Sequence, residues 1–385
     1  MFSTTQKIGI LGGGQLGKML CLAAANLDLK TYVLDRETDY PAAGVCTHFE
    51  TGDFKNYDRV MAFGEDKDLI TVEIEHVNLQ ALKDLKAGGK IIHPNPSALE
   101  IIQDKGLQKI FYRDNGFPTA PFELFEDENA LREAILVGRW KLPLVQKTRT
   151  AGYDGKGVSI LRRESDLTDK LLSGPCLVEA MADMDKEIAL IVARNADGAI
   201  RCFPPVEMEF HAEANLVECL FCPADISPLT IATADVLAER LIESLEVCGL
   251  LAVEMFLTRS GEIWINEVAP RPHNSGHHTM DSAVTSQFEQ HLRGICNLPL
   301  GDTRILQPSV MVNLLGEPTF EGPVRYEGVE ECLALSGVHI HLYSKTNTKP
   351  MRKMGHVTIT APTLKEAREK STFVRDTLKV KSVRQ

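Results

Sequence analysis

The chain lacks the marks of several protein classes. No apolar run approaches the roughly 18 residues that a membrane-spanning helix needs. The opening MFSTTQKIGILGGG has no apolar stretch ending in a small-residue cleavage site, so a cytoplasmic location with no membrane partner is expected. There is no basic excess: 42 Lys+Arg stand against 53 Asp+Glu, a net charge of -11, which argues against nucleic acid as the main partner. A local basic pocket for a phosphorylated small molecule is still allowed. The nine cysteines are scattered and odd in number. Only Cys219 and Cys222 form a CxxC, and no second pair or nearby His completes a zinc set, so they read as reduced thiols. Internal repeats and low-complexity segments are absent as well.

What is present is 385 residues, enough for two or three domains. In the first hundred residues strand-like and helix-like runs alternate (7–11, 15–27, 31–34, 69–74, 79–86, 90–92), which predicts a mostly parallel sheet covered by helices. Ser97 with Glu100 three residues on reads as a capping box opening one helix that runs to Asn115-Gly116. Beyond it, hairpin signals such as Asn195-Ala196-Asp197-Gly198 predict an antiparallel sheet, and Ser227-Pro228 predicts the start of a long helix. The last stretch, from Gln307, reads as a small mixed domain.

Gly12-Gly13-Gly14-Gln15-Leu16-Gly17 follows a strand and precedes a helix, with Asp35 at the end of the next strand. That is the spacing of a dinucleotide fingerprint. Another phosphate ligand, or a turn that only packs helix on strand, fits the same loop. A Walker A reading fails because Met19 stands where a Ser or Thr is needed. A second loop, Gly152-Tyr153-Asp154-Gly155-Lys156-Gly157, joins strand to strand and suits a flap over a triphosphate, with Lys147 on the strand before it.

Two acids carry the sharpest expectation. If Ser260-Gly261 form a two-residue turn, counting outward brings Glu254 directly opposite Glu267 on one sheet face. Like charges so placed repel, and a hard cation such as Mg²⁺ would remove the repulsion, with Asn266 as a neighbouring oxygen ligand. The polar run from Ala269 to His278 follows at once and reads as a substrate loop, with Arg271 suited to grip a carboxylate or phosphate. Its HxxxH spacing has no Glu inside and two nearby prolines, so a metalloprotease helix is excluded. Lys345, Lys349, Arg352 and Lys353 form a basic cluster in an acidic protein, which reads either as a solvated turn or as a phosphate clamp reaching back to the active site.

The segments KIGILGGGQLGKML, LVQKTRTAGYDGKG, WINEVAPRPHNSGHHT and MRKMGHV together resemble the ATP-grasp superfamily, and within it the 5-(carboxyamino)imidazole ribonucleotide synthase family. The resemblance implies an α/β and α+β architecture: a Rossmann-like (pre-ATP-grasp) domain at 1–104, an ATP-grasp domain at 105–300 with a lid at about 115–180, and a small C-terminal domain at 301–385. It implies ATP-dependent carboxylation of 5-aminoimidazole ribonucleotide with bicarbonate, through carboxyphosphate, by a cytoplasmic homodimeric carbon–nitrogen ligase of purine synthesis. By the same resemblance Lys105, Lys147, the loop Gly152, Tyr153, Asp154, Gly155, Lys156, Gly157 and Val158, the edge Glu179, Ala180, Met181 and Ala182, and Glu187, His211, Asn266 and Glu267 would bind ATP. Glu254, Glu267 and Asn266 would hold Mg²⁺, with Mn²⁺ as an alternative. Gly14, Gln15, Leu16, Arg271, His273, Asn274, Ser275, Lys345, Arg352 and Lys353 would bind the ribonucleotide and bicarbonate. Arg271, His273, Lys353 and Tyr153 would be catalytic. Competing expectations are a formate-using glycinamide ribonucleotide transformylase on the same fold, an NAD-dependent oxidoreductase and a non-catalytic nucleotide sensor.

Overall fold

The structure is a computed structural model that describes residues 3–150, 157–210 and 216–383. Gly152, Tyr153, Asp154, Gly155, Lys156 and His211 therefore lie outside the described residues.

The N-terminal strands form a five-stranded parallel sheet in the order His48–Thr51, Lys30–Asp35, Lys7–Leu11, Leu69–Val72, Ile91–Ile92. Its central strands are near-continuous apolar runs because helices cover both faces. Ile8, Ile10 and Val33 pack with Leu16 and Leu20 on one side, and Leu11, Leu34 and Ile70 pack with Phe63 and Leu82 on the other. The chain builds outward from Lys7–Leu11 in one direction and then in the other. The carboxyl ends of Lys7–Leu11 and Leu69–Val72 thus meet at a switch point, where such sheets open a crevice for ligands.

The single helix expected from Ser97 is two helices, Pro96–Ile102 and Lys105–Asp114. Asn95, not Ser97, caps the first by accepting from Ser97 N, and Glu100 is drawn away to Lys83 at 2.9 Å. The break comes from a second cap: the Asp104 carboxylate accepts from the Gly106 and Leu107 amides. It places Lys105 on the first turn of the new helix.

Beyond lies a four-stranded antiparallel sheet in the order Phe122–Phe125, Cys176–Ala180, Leu144–Thr148, Val158–Leu161. A larger antiparallel sheet runs Ile263–Ala269, Gly249–Thr258, Met184–Arg194, Val206–Phe210, Val217–Cys222, and continues without interruption into Ser309–Leu315, Lys353–Thr360 and Val338–Leu342. The strands past Gln307 are therefore built into the sheet of the middle segment, with Cys219 opposite Val312 and Phe221 opposite Val310. Cys219 and Cys222 are buried on that central strand, which accounts for the CxxC as core. Among the described residues no helix is long and apolar enough to cross a membrane.

Strand alternation decides which face of the large sheet is chemical. Leu251, Val253 and Met255 pack with Ile188, Leu190 and Val192 against helix Pro228–Ser244, capped by Ser227 as its sequence foretold. Their neighbours Ala252 and Glu254 turn to the opposite face. The strand is anchored to the N-terminal sheet through the fully buried His291. Leu250 N donates to His291 Nδ1 (3.2 Å), so the ring proton sits on Nε2 and reaches Thr71 Oγ1 (3.0 Å). Gly249, at φ +102°, permits this approach, since a Cβ there would lie 2.8 Å from the ring. Gly249→Ala should therefore destabilise the protein by roughly 1–3 kcal/mol, read from the midpoint of denaturant unfolding; an unchanged midpoint would contradict the anchor.

Candidate active site

The acids do face one another: Glu254 pairs with Glu267 across strands Gly249–Thr258 and Ile263–Ala269. The route differs from the count made on the sequence. The turn has three residues rather than two, with Thr258 N donating to Glu262 O (2.9 Å) and Gly261 at φ +86°. That moves the ladder by one residue, so that Met255 opposes Ile265. A bulge at Asn266 then moves it back. Two departures of opposite sense leave the pair where the simple count put it. The bulged Asn266 turns its Oδ1 to Lys147 Nζ at 2.9 Å.

Each acid has a basic neighbour. Lys105 Nζ pairs with Glu267, and His273 Nε2 lies 3.3 Å from Glu254 Oε1. A third acid, Glu187, is pushed up to about 7 by burial, with the Glu267 charge adding to it. Glu254 is raised by burial and then by the charges of Glu267 and Glu187. For Glu267 burial acts upward too, but the Lys105 and Lys147 charges together hold it well below the usual carboxylate range. Its side chain is 39% exposed, into a recess rather than to open solvent. At neutral pH the proton of this coupled pair belongs on Glu254.

A cavity of about 450 Å³ opens here. It brings together Lys105, Glu254, Glu267, Arg271, His273, Asn274 and Lys353 with Gln15 and Leu16 of the glycine loop. Arg271 is held by Glu75 (2.8 Å), yet its buried Nε has no hydrogen-bond partner, nor has the buried Nε2 of His76 on the same wall.

Other expected residues stand around this wall. Ser275 is buried with Oγ 2.9 Å from His273 Nδ1, and Asn274 exchanges two amide hydrogen bonds with Asn313 (2.8 and 2.9 Å). Lys345 Nζ donates to the Lys353 carbonyl (2.7 Å) and Arg352 to the Asn347 carbonyl (2.6 Å). Lys345 and Arg352 thus support the strand bearing Lys353, and neither is on the cavity wall. Thr148 N donates to Gly157 O (2.8 Å), and Val158 pairs with Lys147. Ala180 ends a strand opposite Leu144, with Met181 and Ala182 just past it.

Glu179, expected to offer only its backbone, has a fully enclosed carboxylate bridging Lys147 and Lys109, each at 2.6 Å. Burial pushes against its charge, but the two ammonium groups prevail and hold it down to about 2. Burial lowers Lys109 to about 8 despite that attraction, so Lys109 and Glu179 are both charged at neutral pH.

The first glycine loop is engaged from within. Glu73 accepts from Leu16 N (3.3 Å), and a Cβ on Gly12 or Gly14 would lie 2.5 Å from its carboxylate. Asp35 is turned inward to Gly13 N (2.7 Å). A dinucleotide fingerprint would direct that acid to a ribose, so the geometry disfavours the NAD reading. Glu73, Glu75, His76, Lys109 and Arg149 were not singled out in the sequence. For the first three a signal existed, because they follow the carboxyl end of Leu69–Val72 at the switch point. Arg149, paired with Asp104 at 2.6 Å, carried no comparable mark.

Among the described residues no cluster of three or more His, Cys, Asp or Glu could hold a metal ion. The two acids with Asn266 nonetheless fit Mg²⁺, which takes one or two carboxylates and completes its shell with water and phosphate oxygens. The direct opposition of the two acids across the strand pair is the observation favouring a cation.

Family models match along most of the chain: a ribonucleotide synthetase preATP-grasp domain at 5–103, an ATP-grasp domain at 110–288 and a phosphoribosylaminoimidazole carboxylase C-terminal domain at 309–370. The N5-carboxyaminoimidazole ribonucleotide synthase of Bacillus subtilis is 38% identical over 91% of this chain and 90% of its own length. The chloroplastic phosphoribosylaminoimidazole carboxylase of Vigna aconitifolia is also 38% identical, over 93% of this chain, which spans only 64% of that longer protein. The crystal structure of N5-carboxyaminoimidazole ribonucleotide synthetase from Thermotoga maritima superposes with a TM-score of 0.90 at 41% identity, covering 98% of this chain and all of the other. The Aspergillus clavatus N5-carboxyaminoimidazole synthase, in complex with ADP and 5-aminoimidazole ribonucleotide, gives 0.88 at 33% identity, covering 97% and 98%.

Removing Glu179 as Gln should leave two buried ammonium groups facing each other, costing about 3–5 kcal/mol at neutral pH. Its folded pKa is depressed, so its stabilisation is complete above the unfolded carboxylate value and fades as pH falls toward about 2. The gap between Glu179→Gln and the parent in denaturant unfolding should accordingly narrow below about pH 5; a gap that widens there would contradict the ion triad.

Proposed function

The chain belongs to the N5-carboxyaminoimidazole ribonucleotide synthase family of ATP-grasp ligases, and from that premise we propose that it carboxylates 5-aminoimidazole ribonucleotide at the expense of ATP, with bicarbonate as the carbon source. The observation that carries the reading is the facing pair Glu254 and Glu267, with Lys105 on it, at the wall of the cavity that Arg271, His273 and Lys353 also line.

In this reading Lys105 and Lys147 receive the ATP phosphates. Glu254, Glu267 and Asn266 would hold Mg²⁺ or Mn²⁺, which when bound supplies charge neutralisation for phosphoryl transfer. Glu187 would take the ribose, and the segment Glu179–Ala182 the adenine edge. A bicarbonate oxygen attacks the γ-phosphorus as the bond to ADP breaks, giving carboxyphosphate. This species collapses to CO₂ and phosphate, and the exocyclic amine of the ribonucleotide attacks the CO₂ carbon and loses a proton. Arg271, on the cavity wall, orients the bicarbonate. Lys353, together with the chain at Gln15 and Leu16, meets the anionic ribonucleotide, with Lys345, Arg352, Asn274 and Ser275 supporting them. His273 handles the proton, its ring held between Glu254 and Ser275. Tyr153, the remainder of the 152–156 loop and His211 keep the roles that the resemblance implies. The boundaries 1–104, 105–300 and 301–385, a homodimer and a cytoplasmic location belong to the same proposal.

ADP release by the purified protein should need both bicarbonate and 5-aminoimidazole ribonucleotide for its full rate; turnover indifferent to the imidazole would defeat the substrate assignment. Glu267→Gln should lower kcat by at least roughly 10²-fold with the fold intact by circular dichroism, on the scale of one lost electrostatic contact to the transferring group. A parental rate would defeat the role of the acid pair.

A further inference from the structure

The stretch from His273 to His277 carries a catalytic side chain without the support of a strand ladder; its only regular element is the short 3₁₀ turn Asn274–Gly276. His273 itself is extended, at φ -133° and ψ 157°. Besides the turn bond from Gly276 N to His273 O (3.0 Å), its main chain is held by the side chain of Gln287, the first residue of helix Gln287–Ile295 and fully buried. Gln287 Oε1 accepts from His273 N at 2.9 Å, and Gln287 Nε2 donates to His273 O at 2.8 Å. The side-chain amide thus does what a peptide group of a neighbouring strand would do. It is itself anchored, because Gln287 N donates to Thr279 Oγ1 (2.8 Å) and that hydroxyl donates to Gly276 O (2.6 Å).

The same amide settles a proton elsewhere. A backbone N–H only donates and a backbone carbonyl only accepts, so the two bonds to His273 fix which end of the Gln287 amide is oxygen and which is nitrogen. Nε2 has a second hydrogen, and His277 Nδ1 lies 3.0 Å from it. His277 Nδ1 must therefore accept, and its proton sits on Nε2. The His277 ring is buried, lines the active-site cavity, and packs between Phe288 and His356 with ring centroids at 5.9 and 4.7 Å.

We propose that Gln287 is a positioning residue for the carboxylation: its amide clamps the His273 backbone so that the ring stands against Glu254, and it sets His277 as the Nε2–H tautomer at the cavity wall. The inference rests on the assignment of His273 to the reaction made above. It adds a residue that touches no substrate and that neither charge nor spacing marks in the sequence.

The test is Gln287→Met, close in volume and unable to make any of the three bonds. Its kcat should fall roughly 10–100-fold, the scale of a small displacement of a reacting group. The KM for ATP should stay within about twofold of the parent, because Lys105 and Lys147 are not touched. Parental kcat, or a loss spread equally over kcat and ATP binding, overturns the proposal. A second measurement needs no folded Gln287 variant: in the parent labelled with ¹⁵N-histidine, the resonance absent from His277→Asn should show the neutral Nε2–H pattern, and an Nδ1–H pattern overturns the clamp. His273→Ala run alongside separates the two readings. Full activity there overturns the role of His273 and the catalytic consequence drawn from it. An inactive His273→Ala beside a fully active Gln287→Met overturns the positioning alone.

Discussion

Two carboxylates held face to face inside a protein repel, and most of the active site is an answer to that repulsion. Glu254 and Glu267 cannot separate, because the strands that bear them are locked by hydrophobic packing on the far face and by His291 at one end. The structure responds with a proton on one acid, a lysine on the other and an imidazole beside the first. In the function proposed above, a divalent ion would be held by the same two acids.

The cations of the site are likewise engaged before any ligand arrives. Lys105 lies on Glu267, Lys147 on Glu179, Arg149 on Asp104 and Arg271 on Glu75. Such pairs keep long side chains in place and neutral in sum, which is the preorganisation that phosphoryl transfer depends on. In the function proposed above, anionic ligands would exchange partners with these cations rather than order them from a disordered start. Glu179 is the extreme case, a buried acid whose only task in the described geometry is to hold two lysines.

Much of this was legible in the chain of letters, for reasons that can be named. The parallel sheet follows from strand and helix alternation, and helix Pro228–Ser244 from Ser227-Pro228. The acid pair was legible too, although the count reached it through two errors that cancel: a turn type decided by Gly261 and a bulge that periodicity does not reveal. What stayed hidden depends on tertiary contact. Asp104 breaks a helix because its carboxylate outcompetes continuation, Glu73 enters a glycine loop from a different strand, and Gln287 reaches back fourteen residues to hold a backbone. None of these has a local pattern, since each is defined by what the fold brings beside it.

The uninterrupted large sheet has a bearing on how such a chain could have been assembled in evolution. Val217–Cys222 is an interior strand only because Ser309–Leu315 covers its outer side, and Lys353 arrives at the cavity on the strand after that. A shorter ancestor stopping before Ser309 would have exposed a row of unanswered backbone groups, an invitation to stick to its own copies. The terminal segment is therefore better regarded as the closing side of the catalytic sheet than as an appendage, and its gain or loss would have had to come with some other cover for that edge.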